Sequence, residues 1–386
     1  MNTILRGRAL VGDHLLDDAV VTVVGDRIVD VTELPSGAEP PAGADRVGGT
    51  MVPGYVDQHC HGGGGTAFTD LDADAAADAA RHLHGRGTTS LIASLVTMGP
   101  GDLARGVEIL ADLVDDGLVD GIHLEGPWLA EAQCGAHDPT LLRDADRAEV
   151  DRLLTLGRGH IRQVTVAPER GHGLDLVRWL TDAGVHSAIG HTSADPDTVR
   201  AAVAAGADLA THLFNGMEPW HHREPGAIPI LLSAAARGEV TLELIADGVH
   251  LTDDTVRAII DLVGTEQVSF ISDSMAAAGV GDGHFVLGGL PVVVSDGVAR
   301  LERDPDGTSP GSIAGGTSHV ADLVARAVAA GLPLERAVIP ATVTPARVLG
   351  LDDRGALRTG ARADLLVLGD DTRVTRVMRA GSWLTD

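Results

Sequence analysis

Apolar residues along this chain fall in short runs of strand length, and most runs are followed by a stretch of helical periodicity. The runs lie at 51–57, 88–95, 119–124, 162–167, 185–190, 208–211, 240–246 and 267–272. Helical patterns between them include 71–86, 140–156, 195–206 and 252–263, the last opened by a capping residue at Thr252 or Asp253. Eight β-then-α units over about 220 residues predict a (β/α)8 barrel of the TIM type. A doubly wound nucleotide-binding sheet would show fewer strands, and a glycine-rich turn whose backbone amides face a phosphate. Here the glycine-rich stretch begins His59-Cys60-His61, with histidines where those amides would be needed.

The two ends read differently. Residues 3–31 hold short strand-like pieces (Ile4-Leu5, Ala19–Val24, Arg27–Val31) joined by turn signals such as Val24-Gly25-Asp26. Residues 35–48 are rich in Pro, Gly and Ala and read as a linker. After the eighth run, 283–302 predicts a hairpin turning at Ser295-Asp296-Gly297. Helices are expected at 315–330 and 334–348, and strands at 363–368 and 374–378. The chain is thus expected to be an α/β protein. A catalytic barrel would span 51–350, and a small β-sandwich domain would be built from 1–50 and 351–386.

Composition narrows the functions open to it. Only 2% of residues are aromatic, so the core must come from Val, Leu, Ile and Ala. A formal net charge of −26 argues against nucleic acid, whose phosphates need Lys and Arg partners, and against anionic membranes. No apolar run reaches the length of about 18 residues needed to span a bilayer. The start, Met1-Asn2-Thr3-Ile4-Leu5-Arg6, lacks the apolar segment of a signal peptide. Two cysteines, Cys60 and Cys134, make no disulfide framework, and a cytoplasmic location is expected.

Barrel enzymes carry their chemistry at the C-terminal ends of the strands. The first run leads to His59 and His61, which share a face because strand side chains alternate with period two. The third ends in Glu125, the fifth in His191, the sixth in His212 and the eighth in Asp273. Each alone could be a packing residue; six converging on one barrel mouth read as a site. Glu125, His191 and His212 make a three-ligand set with a free fourth position, as in a catalytic metal centre. His59 and His61 can hold a second metal, with Glu125 reaching both. Asp273 suits an acid/base, since a metal-activated water needs a nearby carboxylate to take its proton. One or two divalent metals per subunit are expected: zinc first, with iron, cobalt and manganese compatible with the same ligands.

The segments Pro53–Gly65, His123–Pro127, Gly135–His137, Gly190–Thr192, Thr211–Met217, Arg223–Gly226, Ile245–His250 and Ser272–Gly279 together resemble the N-acetylglucosamine-6-phosphate deacetylases of the amidohydrolase superfamily. The resemblance covers nearly the whole chain. Many binuclear relatives in that superfamily bridge their metals with a carbamylated lysine. This chain has no lysine, which leaves Glu125 as the bridge. The resemblance implies a homodimer that removes acetate from N-acetylglucosamine 6-phosphate in amino-sugar catabolism, with Asp273 as general base and then acid. It implies that Arg223 reaches the phosphate in the neighbouring subunit, beside His222, and that the backbone at Asn215 and Gly216 meets the phosphate as well. It also implies that His137 and His250 contact the reacting amide and the sugar, with Ala136 and Ile313 among the substrate contacts. Rival readings are deacetylation of the galactosamine epimer or of an N-acyl-D-amino acid. Cys134, in the loop just before His137, is read first as a plain loop residue and second as an exposed thiol.

Overall fold

The computed structural model describes residues 2–304, 307 and 310–384. Eight parallel strands pair in consecutive order. They are Tyr55–Cys60, Thr88–Leu95, Gly121–Glu125, Ile161–Val166, His186–Ile189, Leu209–Ala210, Thr241–Leu244 and Val268–Phe270, hereafter the first to eighth barrel strands. The first and eighth meet at a seam. Asp273 N–H donates to the His59 carbonyl at 2.9 Å, and His61 N–H to the Ser274 carbonyl at 2.7 Å. Deeper in the seam, Ser269 Oγ donates to Gln58 Oε1 at 3.0 Å. The expected barrel is the barrel found. Its strands are buried on both faces, as parallel strands covered by helices must be, and that is why they read as unbroken apolar runs.

Several elements depart from their sequence signals for identifiable reasons. The run 51–57 is not one strand. It belongs to two sheets, Asp45–Pro53 and Tyr55–Cys60, parted at Gly54. A Cβ at Gly54 would stand 2.1 Å from Thr89 Oγ1, so only glycine lets the chain cross there. The helix expected at 140–156 begins at Arg147, where Asp146 caps it by accepting from Glu149 N–H. The helix expected at 334–348 breaks into Leu334–Val338 and Val343–Val348, because Pro340 and Thr342 (φ −139°) interrupt it. The hairpin at 283–302 is a three-stranded sheet, Gly283–Leu287, Leu290–Ser295 and Val298–Leu301.

The second large sheet has seven strands drawn from both ends of the chain. Asp45–Pro53 pairs in parallel with Asn2–Val11 and antiparallel with Leu365–Leu368. Leu5, Val21, Ile28, Met51, Leu365 and Met378 form its core. The sheet rolls so that its far strand meets the segment entering Leu365–Leu368: Ile28 N–H donates to the Ala361 carbonyl at 2.9 Å. Two arginines fasten it to the barrel. Arg362 Nη2 donates to the Thr89 carbonyl at 3.0 Å, and Arg379 donates to the carbonyls of Thr89 at 2.9 Å and Gly117 at 2.8 Å. Among the described residues no helix is long and apolar enough to cross a membrane.

Candidate metal centre

The barrel strands deliver their polar residues to one end. Three of them, His191, His212 and Asp273, leave their strands with positive φ (47°, 26° and 47°). Such backbone is strained in residues other than glycine, and it turns these side chains inward over the barrel axis. Glu125 divides its two oxygens between two groups of histidines. Oε1 lies 3.1 Å from His191 Nε2 and 2.9 Å from His212 Nε2. Oε2 lies 3.1 Å from His61 Nε2 and 3.5 Å from His59 Nε2. Asp273 Oδ1 completes the second group at 3.1 Å from His61 Nε2 and 3.4 Å from His59 Nε2.

The outer nitrogens show what these rings are set to do. His59 Nδ1 lies 3.1 Å from Glu243 Oε2, His61 Nδ1 3.2 Å from the Ser94 carbonyl, and His191 Nδ1 2.7 Å from the Gln133 carbonyl. A carbonyl or carboxylate only accepts, so each ring carries a proton on Nδ1 and turns Nε2 inward, free to take a proton or a metal ion. His59 and His61 face each other at 3.2 Å across those nitrogens, and His191 and His212 at 3.1 Å. Two such nitrogens in contact repel unless a proton or a metal ion lies between them, and His212 Nδ1 has no partner of its own. Both groups therefore fit a divalent metal, with Glu125 common to the two.

The electrostatics agree. Burial opposes a charge on His61, but Asp273 and Glu125 outweigh it, so without a metal ion the site draws a proton and the His61 pKa rises to about 9. The same negative field draws a metal ion. Burial likewise opposes ionisation of Asp273, but His59 and His61 overcome it and hold the carboxyl at about 2.

His137 is tuned the other way. Burial lowers its pKa to about 3, so the ring is neutral. Thr97 N–H donates to its Nδ1 at 3.2 Å, which leaves the proton on Nε2. That Nε2 lies 3.6 Å from Glu125 Oε2, a donor at the edge of the metal centre. His250 Nδ1 is held by Asp247 Oδ2 at 2.8 Å. Burial works against its charge, but Asp247 prevails and its pKa is raised.

His61, Glu125, His137, His191, His212, His250 and Asp273 line a cavity of about 370 Å³ together with Ala136, Asn215, Gly216, Leu287 and Ile313. Gly216 has φ 60°, and a Cβ there would stand 2.8 Å from His191 Nδ1. Arg223 and His222 are exposed, 2.7 Å apart (Nη1 to Nε2), and do not line this cavity.

Other histidines stay outside the centre. His123 is held between Ser94 Oγ and Thr165 Oγ1, each at 2.9 Å, and packs edge-on beneath His59. His82 and His319 pair with each other at 3.0 Å. Cys60 is buried, and Cys134 is half-buried off the cavity lining, with its pKa raised by burial. Three contributors escaped the sequence reading. Glu243 had a signal, a charge inside the apolar run 240–246. Gln133 acts on His191 through its backbone carbonyl, which leaves no mark in a sequence, and Thr97 meets His137 Nδ1 with both its N–H and its Oγ1.

Comparison with known proteins places this geometry. The model of the amidohydrolase family matches residues 50–384. An N-acetylgalactosamine-6-phosphate deacetylase of Escherichia coli O157:H7 is 32% identical over 99% of this chain and 99% of its own length. An N-acetylglucosamine-6-phosphate deacetylase of Bos taurus is 35% identical over 98% of this chain and 93% of its own. A solved structure of a mutant N-acetyl-D-glucosamine-6-phosphate deacetylase from Mycobacterium smegmatis, in complex with N-acetyl-D-glucosamine-6-phosphate, superposes with a TM-score of 0.93. It is 46% identical and covers 100% of both chains.

Proposed function

Because the chain belongs to the amidohydrolase family, within the N-acetylglucosamine-6-phosphate deacetylases, we propose that it hydrolyses N-acetylglucosamine 6-phosphate to glucosamine 6-phosphate and acetate. One observation carries the reading: Glu125 is shared by two inward-facing ligand groups, with Asp273 beside them at a cavity. Glu125, His191 and His212 would hold one divalent cation, and His59 and His61 with Glu125 a second. Zinc suits this ligand set, and iron, cobalt and manganese share it. A bound cation supplies Lewis acidity toward the amide carbonyl and lowers the pKa of water.

The protein's own groups do the rest. Asp273, held ionised, takes the proton of the attacking water and returns it to the amine as the C–N bond breaks. His137 donates from Nε2 to the oxyanion that forms from the carbonyl. His250, fixed by Asp247, orients the sugar, with Ala136, Asn215, Gly216 and Ile313 as further contacts. Arg223 and His222 stand apart from the cavity of their own chain, which supports a role at the phosphate in the other subunit of a homodimer. The two cysteines are free, in keeping with work in the cytoplasm.

The test is acetate release from N-acetylglucosamine 6-phosphate by protein of measured metal content. No release from metal-loaded protein would sink the proposal. The Escherichia coli relative keeps the galactosamine epimer in play. The ratio of kcat/KM for the two epimers decides between them, and the glucosamine form is expected to be the better substrate.

A further inference from the structure

The seventh barrel strand carries Glu243 into the barrel beneath the two ligand groups, with no exposed surface. Its carboxylate is saturated with donors. Oε1 accepts from Gln163 Nε2 at 2.6 Å and Gln58 Nε2 at 3.0 Å. Oε2 accepts from His59 Nδ1 at 3.1 Å and from the His212 backbone N–H at 3.3 Å. Gln58 is itself fixed by Ser269 Oγ. Among the described residues no arginine pairs with Glu243. A buried carboxylate is costly unless it is both hydrogen-bonded and paired, and the amides satisfy its oxygens but bring no opposite charge. Its one ring partner is His59, whose other nitrogen faces the metal centre. A cation there, felt through the imidazole, is the missing counter-charge. Carboxylate–histidine–metal relays of this kind fix the ring's tautomer and raise its basicity.

We propose that Glu243 is the positioning residue of the second metal site. It holds His59 in the Nδ1–H form and aims Nε2 at His61, Glu125 and Asp273. The His212 backbone N–H fixes the same carboxylate oxygen in place. The proposal rests on the two-metal reading given above.

The experiment is zinc stoichiometry and affinity in the full-length protein, loaded with zinc ion and titrated against a chelator. The parent is expected to hold two zinc ions per chain. Glu243→Gln is expected to weaken one of them about 10–100-fold and leave the other unchanged. His59→Gln, which removes the ligand itself, should lose the same ion. Two ions in the parent and two of unaltered affinity in Glu243→Gln would overturn the role of Glu243 alone. A single ion in the parent would overturn the two-metal reading and this proposal with it. Equal weakening of both ions would mark a general structural role and also overturn the proposal. Should Glu243→Gln fail to fold, Glu243→Asp carries the test. It keeps the charge but withdraws it from His59, and an unweakened second ion in that variant overturns the proposal.

Discussion

Asp273 and His137 line one cavity and are tuned in opposite directions, one kept ionised by two histidines and the other kept neutral by burial. Asp273→Asn removes the carboxylate proposed to accept the water's proton while preserving shape. Turnover is expected to fall about 10²–10⁴-fold, with metal retained at Glu125, His191 and His212, as steady-state kinetics and metal analysis would measure. Arg223→Ala is expected to raise KM far more than it lowers kcat, because a phosphate anchor contributes equally to ground and transition states. An unchanged KM would remove Arg223 from the site. At this scale the sequence was readable wherever chemistry sat at the end of an apolar run. His59, His61, Glu125, His191, His212 and Asp273 are the residues that the barrel brings together. Their supports were harder to see. Glu243 lies mid-run rather than at its end, and the Gln133 carbonyl has no side-chain signature.

The elements owe their reach to a few tight places. At Gly49 φ is 144°, and a Cβ would lie 2.2 Å from the Leu368 carbonyl oxygen of the paired strand. Gly49→Ala is expected to destabilise the protein by about 1–3 kcal/mol, measured by denaturant unfolding. At the base of the fifth barrel strand His186 Nδ1 meets Asp208 Oδ2 at 2.7 Å, just before the sixth begins. The Asp208 hydrogen bond raises the His186 pKa. The folded state therefore binds that proton more tightly than the unfolded one. The pair contributes fully below the unfolded histidine pKa of about 6.5, and the contribution is lost as pH rises through the folded value. His186→Gln is expected to lose more stability against the parent at pH 6 than at pH 9. Equal losses would assign the effect to packing. Element type was legible because buried parallel strands must be apolar on both faces. The division at Gly54 was not, since the apolar run continues unbroken from one sheet into the next.

At the scale of the molecule the two large sheets are fastened by Arg362 and Arg379, which reach carbonyls at the start of the second barrel strand and the turn before the third. Replacing both with methionine keeps much of their apolar stems and removes the donors. Calorimetry of that variant is expected to show a lower, broader transition than the parent, as the terminal sheet loosens ahead of the barrel. A single sharp transition at the parental temperature would show that the arginines do not couple them. The overall plan, β ends around a β/α middle, was readable from the order of the runs. The roll of the terminal sheet was not, because it depends on backbone pairs more than 300 residues apart, such as Ile28 with Ala361. The seam between His59 and Asp273 bears on how the protein is made. On the ribosome the first barrel strand emerges long before the eighth, and Asp45–Pro53 emerges before its partner Leu365–Leu368 has been synthesised. A growing chain therefore carries two open strand edges until translation is nearly over, a state prone to wrong pairing that chaperones exist to shield. Asp273 comes beside His59 only when the barrel closes, so deacetylation is a report that the chain has folded from end to end.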